Sequence, residues 1–174
     1  MFVRLLLQIP AFFGLVLRFG IICLVMGILS FFIGEMLPRK NFDYRAFPYA
    51  AHAWEKGGDI YLRLRINRWK DKVPDMSRYI PHTFRKKLTV MRSPDHIEGL
   101  IRETCAAELV HIVLVLLSPV FLVLLPKGWN WICMLLYNLL GNLPFILIQR
   151  YNRPRLIELM ERQRQLRAQQ AAGR

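Results

Sequence analysis

The sequence has few acidic residues and few cysteines. Twelve Asp and Glu residues stand against 25 Lys and Arg residues, so the formal net charge is +13 over 174 residues. The three cysteines, Cys23, Cys105 and Cys133, lack the spacing of metal ligands and lie in or beside apolar segments. Neither a zinc site nor a disulfide framework is indicated, and we expect these thiols to be packing residues.

The chain is nevertheless rich in apolar residues. Hydrophobic residues make up 54% of it and the mean hydropathy is +0.25, which together with the positive charge predicts a membrane protein. Nucleic acid is the other common partner of a basic protein. Here, however, the cations lie between long apolar segments and form no basic stripe on a soluble fold, so we expect no nucleic-acid binding.

Three apolar segments, 10–34, 109–125 and 129–148, have about the 20 residues that a bilayer core requires. Arg18 interrupts the first, where it either faces a polar partner or snorkels towards the headgroups. We predict an all-α integral membrane protein with three transmembrane helices. The predicted parts are an N-terminal transmembrane helix (1–37), a basic, aromatic-rich interfacial segment (38–105), a transmembrane hairpin (106–150), and a C-terminal basic surface helix and tail (151–174).

Local signals place the shorter elements. Ser93 is predicted to cap a helix that begins with Pro94 and leads into the second span, and residues 126–128 form the hairpin turn. Residues 60–69 alternate like a strand, but a lone strand near lipid would leave backbone groups unpaired, so we predict an interfacial amphipathic helix. Residues 156–169 are predicted to form a surface helix whose C-terminal end frays.

The distribution of Lys and Arg predicts the orientation. They concentrate in the segment after the first span and in the C-terminal tail, whereas the N-terminus and the hairpin turn carry few. The positive-inside rule then places the basic regions in the cytoplasm of a multi-pass cell-membrane protein.

Ionisable residues occur at the start of the second span. Glu108 and His111 are three residues apart and so share a helix face. Charged groups inside an apolar span are costly and are candidates for function, here as a catalytic pair. The structural alternative is that Glu108 neutralises an arginine such as Arg150 while His111 makes a hydrogen bond, and both can hold together.

A polar stripe along the third span, Asn138, Asn142 and Gln149, must face protein in lipid. It leads into a cluster in which Arg150 and Arg153 are suited to bind phosphate or carboxylate. Because the hairpin is short, we expect this cluster to approach the Glu108 and His111 face. The predicted substrate-binding residues are Asn142, Gln149, Arg150, Tyr151, Asn152, Arg153, Trp69 and Lys70.

Three motifs carry a family resemblance: Ile-Gln-Arg-Tyr-Asn-Arg-Pro-Arg-Leu at 148–156, Glu-Thr-x-x-Ala-Glu-Leu-x-His at 103–111, and Trp-Lys-x-Lys at 69–72. They resemble the glycosyl-4,4'-diaponeurosporenoate acyltransferase family, from about Trp54 to the C-terminal helix. The chain departs from the family's pattern at Ile112, where tryptophan is expected, and in its phenylalanine-rich first span.

The resemblance implies a membrane enzyme that transfers a fatty acyl chain to a sugar hydroxyl of a glycosylated carotenoid acid, with membrane lipids, an acyl donor and a glycosylated lipid acceptor as partners. We expect His111 to act as general base with Glu108 orienting its ring. Arg150 and Arg153 would then hold an acyl-CoA co-substrate or stabilise an oxyanion. No bound cofactor or metal is expected, and the oligomeric state stays open.

Two acyltransferase signatures are missing. The sequence has no Gly-x-Ser-x-Gly elbow, and no histidine is followed five residues later by aspartate. Direct transfer without a covalent enzyme intermediate is therefore expected. The alternative function is a non-catalytic membrane scaffold, whose predicted contacts to anionic lipid are Arg39, Lys40, Arg85, Lys86 and Lys87.

Overall fold

The computed structural model describes residues 2–73 and 93–173, and all regular structure in those residues is helical. This confirms the predicted all-α fold. The α-helices are α1 (Phe2–Met36), α2 (Ile66–Trp69), α3 (Pro94–Leu117), α4 (Val120–Leu124), α5 (Asn130–Leu136) and α6 (Leu143–Ala172). Short 3₁₀ helices lie at Arg39–Asn41, Ala53–Leu62 and Lys70–Lys72, and a π-helical turn covers Tyr137–Asn142.

Three of the described helical stretches are long and apolar enough to cross a membrane, as predicted. They are Ala11–Met36, Pro94–Leu124 and Asn130–Ala172. Large apolar side chains stay exposed along the first stretch, for example Phe13 and Leu24 at 68% and 62% exposure, which is a surface suited to lipid. Arg18 is exposed on the same helix.

The predicted start of α3 and the predicted hairpin turn are confirmed. The hydroxyl of Ser93 accepts a hydrogen bond from the backbone amide of His96 at 3.2 Å, and α3 begins at Pro94. The carbonyl of Pro126 accepts the amides of Trp129 and Asn130 at 3.3 and 3.2 Å.

The segment 60–69 differs from the single amphipathic helix predicted for it. The 3₁₀ helix that contains Ile60 ends at Leu62, and Arg65 takes a left-handed conformation with φ of 52° before α2 begins. Leu62 and Leu64 are exposed while Ile66 is fully buried. One residue with positive φ therefore divides the segment into two short helical pieces.

The C-terminal helix also differs from the prediction. The expected separate surface helix after Pro154 is instead a continuation of α6, which runs through this proline to Ala172. Pro154 has no N–H for the carbonyl of Arg150 four residues earlier, so one helical hydrogen bond is missing there.

The described residues form two compact units. Unit 1 contains residues 2–37 and 109–145, and unit 2 contains residues 38–73, 93–108 and 146–173. Unit 1 has an apolar core built from Leu15, Phe121, Leu125 and Cys133. Core residues of unit 2 are Tyr61, Ile66, Ile148 and Tyr151.

The hairpin prediction holds inside unit 1. Asn130 donates to the carbonyl of Leu122 at 3.1 Å, and Asn138 donates to the hydroxyl of Ser118 at 2.8 Å. These contacts join the second span to the third through polar side chains that face protein, as predicted for the asparagine stripe.

Candidate functional site

Arg150 in unit 2 has an acceptor for each of its five N–H donors. Its Nε donates to Glu55 Oε1 at 2.5 Å, and its Nη1 donates to Glu108 Oε1 at 2.7 Å. The other donors reach Glu55 Oε2 at 3.2 Å and the carbonyls of Pro48 and Ala50 at 3.0 and 3.4 Å. A guanidinium has only five donors. A phosphate bound by Arg150 would therefore have to displace one of these acceptors.

Arg153 of unit 2 has a buried guanidinium, and the residue is 2% exposed. Its Nε and Nη2 donate to the hydroxyl and the carbonyl of Thr104 at 2.9 and 3.1 Å, and its Nη1 donates to the carbonyl of Tyr49 at 2.6 Å. Nη2 also contacts Glu108 Oε2. The guanidinium carbon lies 5.5 Å from the centre of the Tyr49 ring. These contacts join α6 to α3 and to the segment before Ala53.

The buried positive and negative charges around Arg150 and Arg153 balance. Glu55 and Glu108 are each 2% exposed and supply two negative charges, while Arg150 and Arg153 supply two positive ones. Each oxygen of Glu108 accepts a hydrogen bond from one of the arginines. Buried ions keep their charge only when they are paired and hydrogen-bonded, so each member holds the others in place. We call these four residues the arginine–glutamate cluster.

The phenol of Tyr61 also donates to Glu55 Oε1 in a very short hydrogen bond. Burial by itself raises the pKa of Glu55, but hydrogen bonds from Arg150, Tyr61 and the backbone amide of His52 outweigh it and hold the pKa below its ordinary value. Burial and the neighbouring carboxylate raise the pKa of Tyr61, which stays a neutral donor.

A glycine pair lets the chain around Glu55 approach α6. Gly58 has a φ of +90°, and a Cβ at this position would lie 3.0 Å from Arg155 Nη1 and 3.5 Å from the ring of Pro154. Arg155 itself donates to Asp59 at 3.1 Å and lies 3.8 Å above the Tyr151 ring. The left-handed backbone favours glycine here, and an added Cβ would also make Arg155 shift.

An open cleft of about 310 Å³ lies beside the arginine–glutamate cluster in unit 2. Part of its wall is formed by the exposed carboxylates Glu158 and Glu161 of α6. These groups disfavour the phosphates of a coenzyme and suit hydroxyl donors. The lining residues are Tyr49, Ala51, Glu55, Arg150, Arg153, Pro154, Ile157, Glu158 and Glu161.

His111 lies in unit 1, and its partners within that unit are Asn142 and Phe145. Its Nδ1 lies 3.1 Å from Asn142 Oδ1, and its ring stacks on Phe145 with centroids 4.5 Å apart and planes 11° apart. No other described residue hydrogen-bonds to the imidazole. The predicted catalytic pairing of His111 with Glu108 runs from unit 1 to unit 2 and stays a prediction.

The other predicted substrate-binding residues lie in unit 2. Tyr151 is buried in the core, and Trp69 packs against the same core while its Nε1 donates to the carbonyl of Leu64 at 3.0 Å. Gln149 is buried, and its Oε1 has no partner among the described residues. Asn152 is half-buried, and Lys70 contacts Asp71 at 3.3 Å.

One predicted lipid contact of the scaffold alternative, Arg39, is engaged within unit 2, where its side chain donates to Glu103 at 2.8 Å. Lys40 is exposed, and the hydrogen bond that it accepts from Arg102 at 2.8 Å is made by its backbone carbonyl. The predicted contacts at 85–87 lie outside the described residues.

Sequence reasoning missed several members of this network. Glu55 is 95 positions from Arg150, and Tyr49 and Thr104 bind Arg153 across 104 and 49 positions. No helical or strand period relates residues so far apart. The adjacent glycines after Glu55, Gly57 and Gly58, were the available signal, because paired glycines mark a break in regular structure.

Comparison with known proteins agrees with the resemblance found in the motifs. Residues 43–162 match the family model described as glycosyl-4,4'-diaponeurosporenoate acyltransferase. Proteins of that name from Staphylococcus aureus strains N315 and USA300 are each 30% identical to the chain over 131 residues, covering 74% of this chain and 77% of theirs. No solved structure gives a significant match.

Proposed function

The chain belongs to the glycosyl-4,4'-diaponeurosporenoate acyltransferase family and is an acyltransferase, and we propose that it moves a fatty acyl group from acyl-CoA to a sugar hydroxyl of a glycosylated carotenoid or a related glycolipid. The donor, the acceptor and the reacting residue are parts of this proposal. Its main structural support is His111, a histidine placed in an apolar unit with one ring nitrogen held and the other unbonded among the described residues.

In the proposed reaction His111 is the general base. Its Nε2 takes the proton of the acceptor hydroxyl as the oxygen attacks the thioester carbonyl of the donor. The tetrahedral intermediate then collapses, the C–S bond breaks, and the imidazolium returns the proton to the departing thiolate. The products are the sugar ester and free coenzyme A. Histidine suits both proton transfers, because the ordinary pKa of an imidazole lies near neutral pH.

The arginine–glutamate cluster has a structural role in this proposal. Glu108 pairs with Arg150 and Arg153 and, together with Glu55, balances their charge, in line with the structural alternative that the sequence left open. Binding of coenzyme phosphates by Arg150 requires the loss of an existing contact, whereas Arg153 Nη1 has a second N–H in addition to the one that it donates to the carbonyl of Tyr49. Because Arg153 is 2% exposed and Glu158 and Glu161 line the same cleft, we assign both arginines to the structure of unit 2 in this proposal.

We place the enzyme in the cell membrane with its basic regions on the cytoplasmic side. The three apolar stretches support insertion, and the excess of Lys and Arg between and after them supports the orientation. Acyl-CoA in the cytoplasm would then have access to the cationic residues of unit 2. Labelling of introduced cysteines from either side of oriented vesicles tests this orientation.

The proposal is tested by product identification. Purified protein in lipid nanodiscs is incubated with ¹⁴C-labelled palmitoyl-CoA and glycosyl-4,4'-diaponeurosporenoate, and the labelled lipid is identified by mass spectrometry. We expect a new sugar ester and release of free coenzyme A in equal amounts. Label on another glycolipid would identify that lipid as the acceptor. If no label is transferred to the proposed acceptor or to any lipid of a total extract, the proposal is contradicted.

The base assignment has its own test. His111→Ala should lower kcat by about 10²–10⁴-fold, the usual contribution of general base catalysis. His52→Ala is the control, because the His52 ring lies against Phe47 and Trp54 in unit 2 and has no role in the proposed reaction. Retained activity in folded, inserted His111→Ala would refute the assignment.

A further inference from the structure

We infer that Asn142 is a positioning residue that fixes the tautomer of His111, so that Nδ1 carries the proton and Nε2 carries the lone pair. This inference rests on the proposed function, because it explains how the proposed base is prepared for its reaction. It assigns to Asn142 a role other than the substrate contact that the sequence had predicted.

The orientation of the Asn142 amide is fixed by its own surroundings. Asn142 is 1% exposed, and its Nδ2 donates to the carbonyl of Tyr137 at 3.3 Å. A carbonyl oxygen only accepts hydrogen bonds, so the NH₂ group must be the side of the amide that faces Tyr137. The amide oxygen is then the atom that faces the imidazole, at 3.1 Å from His111 Nδ1.

The amide orientation determines the protonation of the ring. Asn142 Oδ1 cannot donate, so the hydrogen bond exists only when His111 Nδ1 carries the proton. In a neutral imidazole the other nitrogen, Nε2, then has the lone pair. Stacking on Phe145 holds the plane of the ring and so fixes the direction in which Nε2 points. The group that a general base needs is thus prepared before substrate binds.

Two features make Asn142 the suitable residue for this role. Both carboxylate oxygens of Glu108, the residue first expected to orient the ring, accept hydrogen bonds from arginines. Asn142 also ends the π-helical turn Tyr137–Asn142, whose first carbonyl holds its amide. Such wide turns are rare and occur frequently at functional sites, where they redirect a side chain.

The tautomer can be observed directly. Protein labelled with ¹⁵N-histidine is reconstituted in nanodiscs, and the His111 signals are assigned by their loss in His111→Gln. We expect the wild-type spectrum to show a protonated Nδ1 and an unprotonated Nε2. The opposite tautomer would overturn the inference, and this result needs no substitution at position 142.

Variants at 142 link the tautomer to the rate. Asn142→Leu should lower the Nδ1–H population and reduce kcat by on the order of 10- to 100-fold with KM changed less than twofold, as when other partners that orient a histidine are removed. Asn142→Asp keeps an acceptor oxygen and should retain the Nδ1–H signal and more of the rate. Asn138→Leu is the matched control, because Asn138 bonds to Ser118 and should leave the His111 spectrum unchanged.

The outcomes separate this inference from the proposed function. Wild-type rate and tautomer in Asn142→Leu would overturn the positioning role while leaving His111 as the base. Activity in His111→Ala would refute the base itself, and the wild-type spectrum would still decide which nitrogen is protonated.

Discussion

Two polar sites in this apolar chain use their hydrogen bonds in opposite ways. The arginine–glutamate cluster of unit 2 closes on itself, since every donor of Arg150 and both oxygens of Glu108 are occupied within the fold. In unit 1, Asn142 holds only one nitrogen of His111. A closed network stabilises structure, whereas a group that is held on one side has an atom left for chemistry.

This difference changes how charged residues in apolar segments are interpreted. Glu108 lies in a candidate span and is 2% exposed, which would ordinarily mark it as catalytic. Its partners show instead that burial and charge alone do not distinguish a structural ion pair from a reactive group. The number of hydrogen-bonding positions that remain unoccupied is the more informative quantity.

Glu108→Ala should produce the largest loss of stability. It leaves Arg153 without a buried counter-charge and Arg150 paired with Glu55 alone, at a cost of about 3–5 kcal/mol. Denaturant titration in mixed micelles, followed by tryptophan fluorescence, would measure this. The control is Glu103→Ala, which removes a half-exposed pair with Arg39 on the same helix and should cost about 0–1 kcal/mol. Equal effects of the two substitutions would contradict the structural role of the cluster.

Gly58→Ala should have a smaller effect. The left-handed backbone costs about 1–2 kcal/mol with a side chain, and the added Cβ would also press on Arg155 at 3.0 Å. Gly57→Ala has the same kind of backbone cost, with φ of +64°, but its Cβ would meet nothing within 4 Å. The same titration should therefore show a greater loss for Gly58→Ala. If the two substitutions cost the same, the close approach to α6 contributes nothing measurable.

The smallest expected effect is a pH dependence from Glu55. Its pKa is held below the ordinary 4.5, so the unfolded chain binds more protons than the folded one in this range. The stabilisation is fully present above pH 4.5 and declines as the pH falls through the lowered pKa. We expect the free energy of unfolding to fall less steeply between pH 6 and 3 in Glu55→Gln than in the wild type. The control Glu161→Gln should keep the wild-type dependence on pH. An unchanged acid dependence in Glu55→Gln would contradict the assignment.

The elements that depend on local chemistry were predictable from the sequence. The Ser93 cap, the turn after Pro126 and the three apolar spans arise from neighbouring residues, and the structure has each of them. The break at Arg65 was not predictable, because alternating apolar residues do not reveal a single positive φ. The continuation of α6 through Pro154 was missed for a related reason, since packing around a proline can outweigh its local preference.

The partners of the site residues were the less predictable part. Helical spacing predicted that Glu108 and His111 share one helix face, but it could not choose their partners. Glu55 and Asn142 lie 95 and 31 positions from the residues they bind. Pairing over such distances is decided by how the helices pack, which a spacing pattern does not contain.

The most direct test of this division of roles is kcat per folded molecule for Glu108→Gln and His111→Gln. Folded protein is quantified by size-exclusion chromatography in nanodiscs, and transfer is measured with labelled acyl-CoA. We predict that Glu108→Gln yields less folded protein, with a kcat within a few-fold of wild type, whereas His111→Gln folds normally and loses about 10²-fold or more. Equal losses of kcat in the two variants would contradict the account and support a catalytic Glu108–His111 pair.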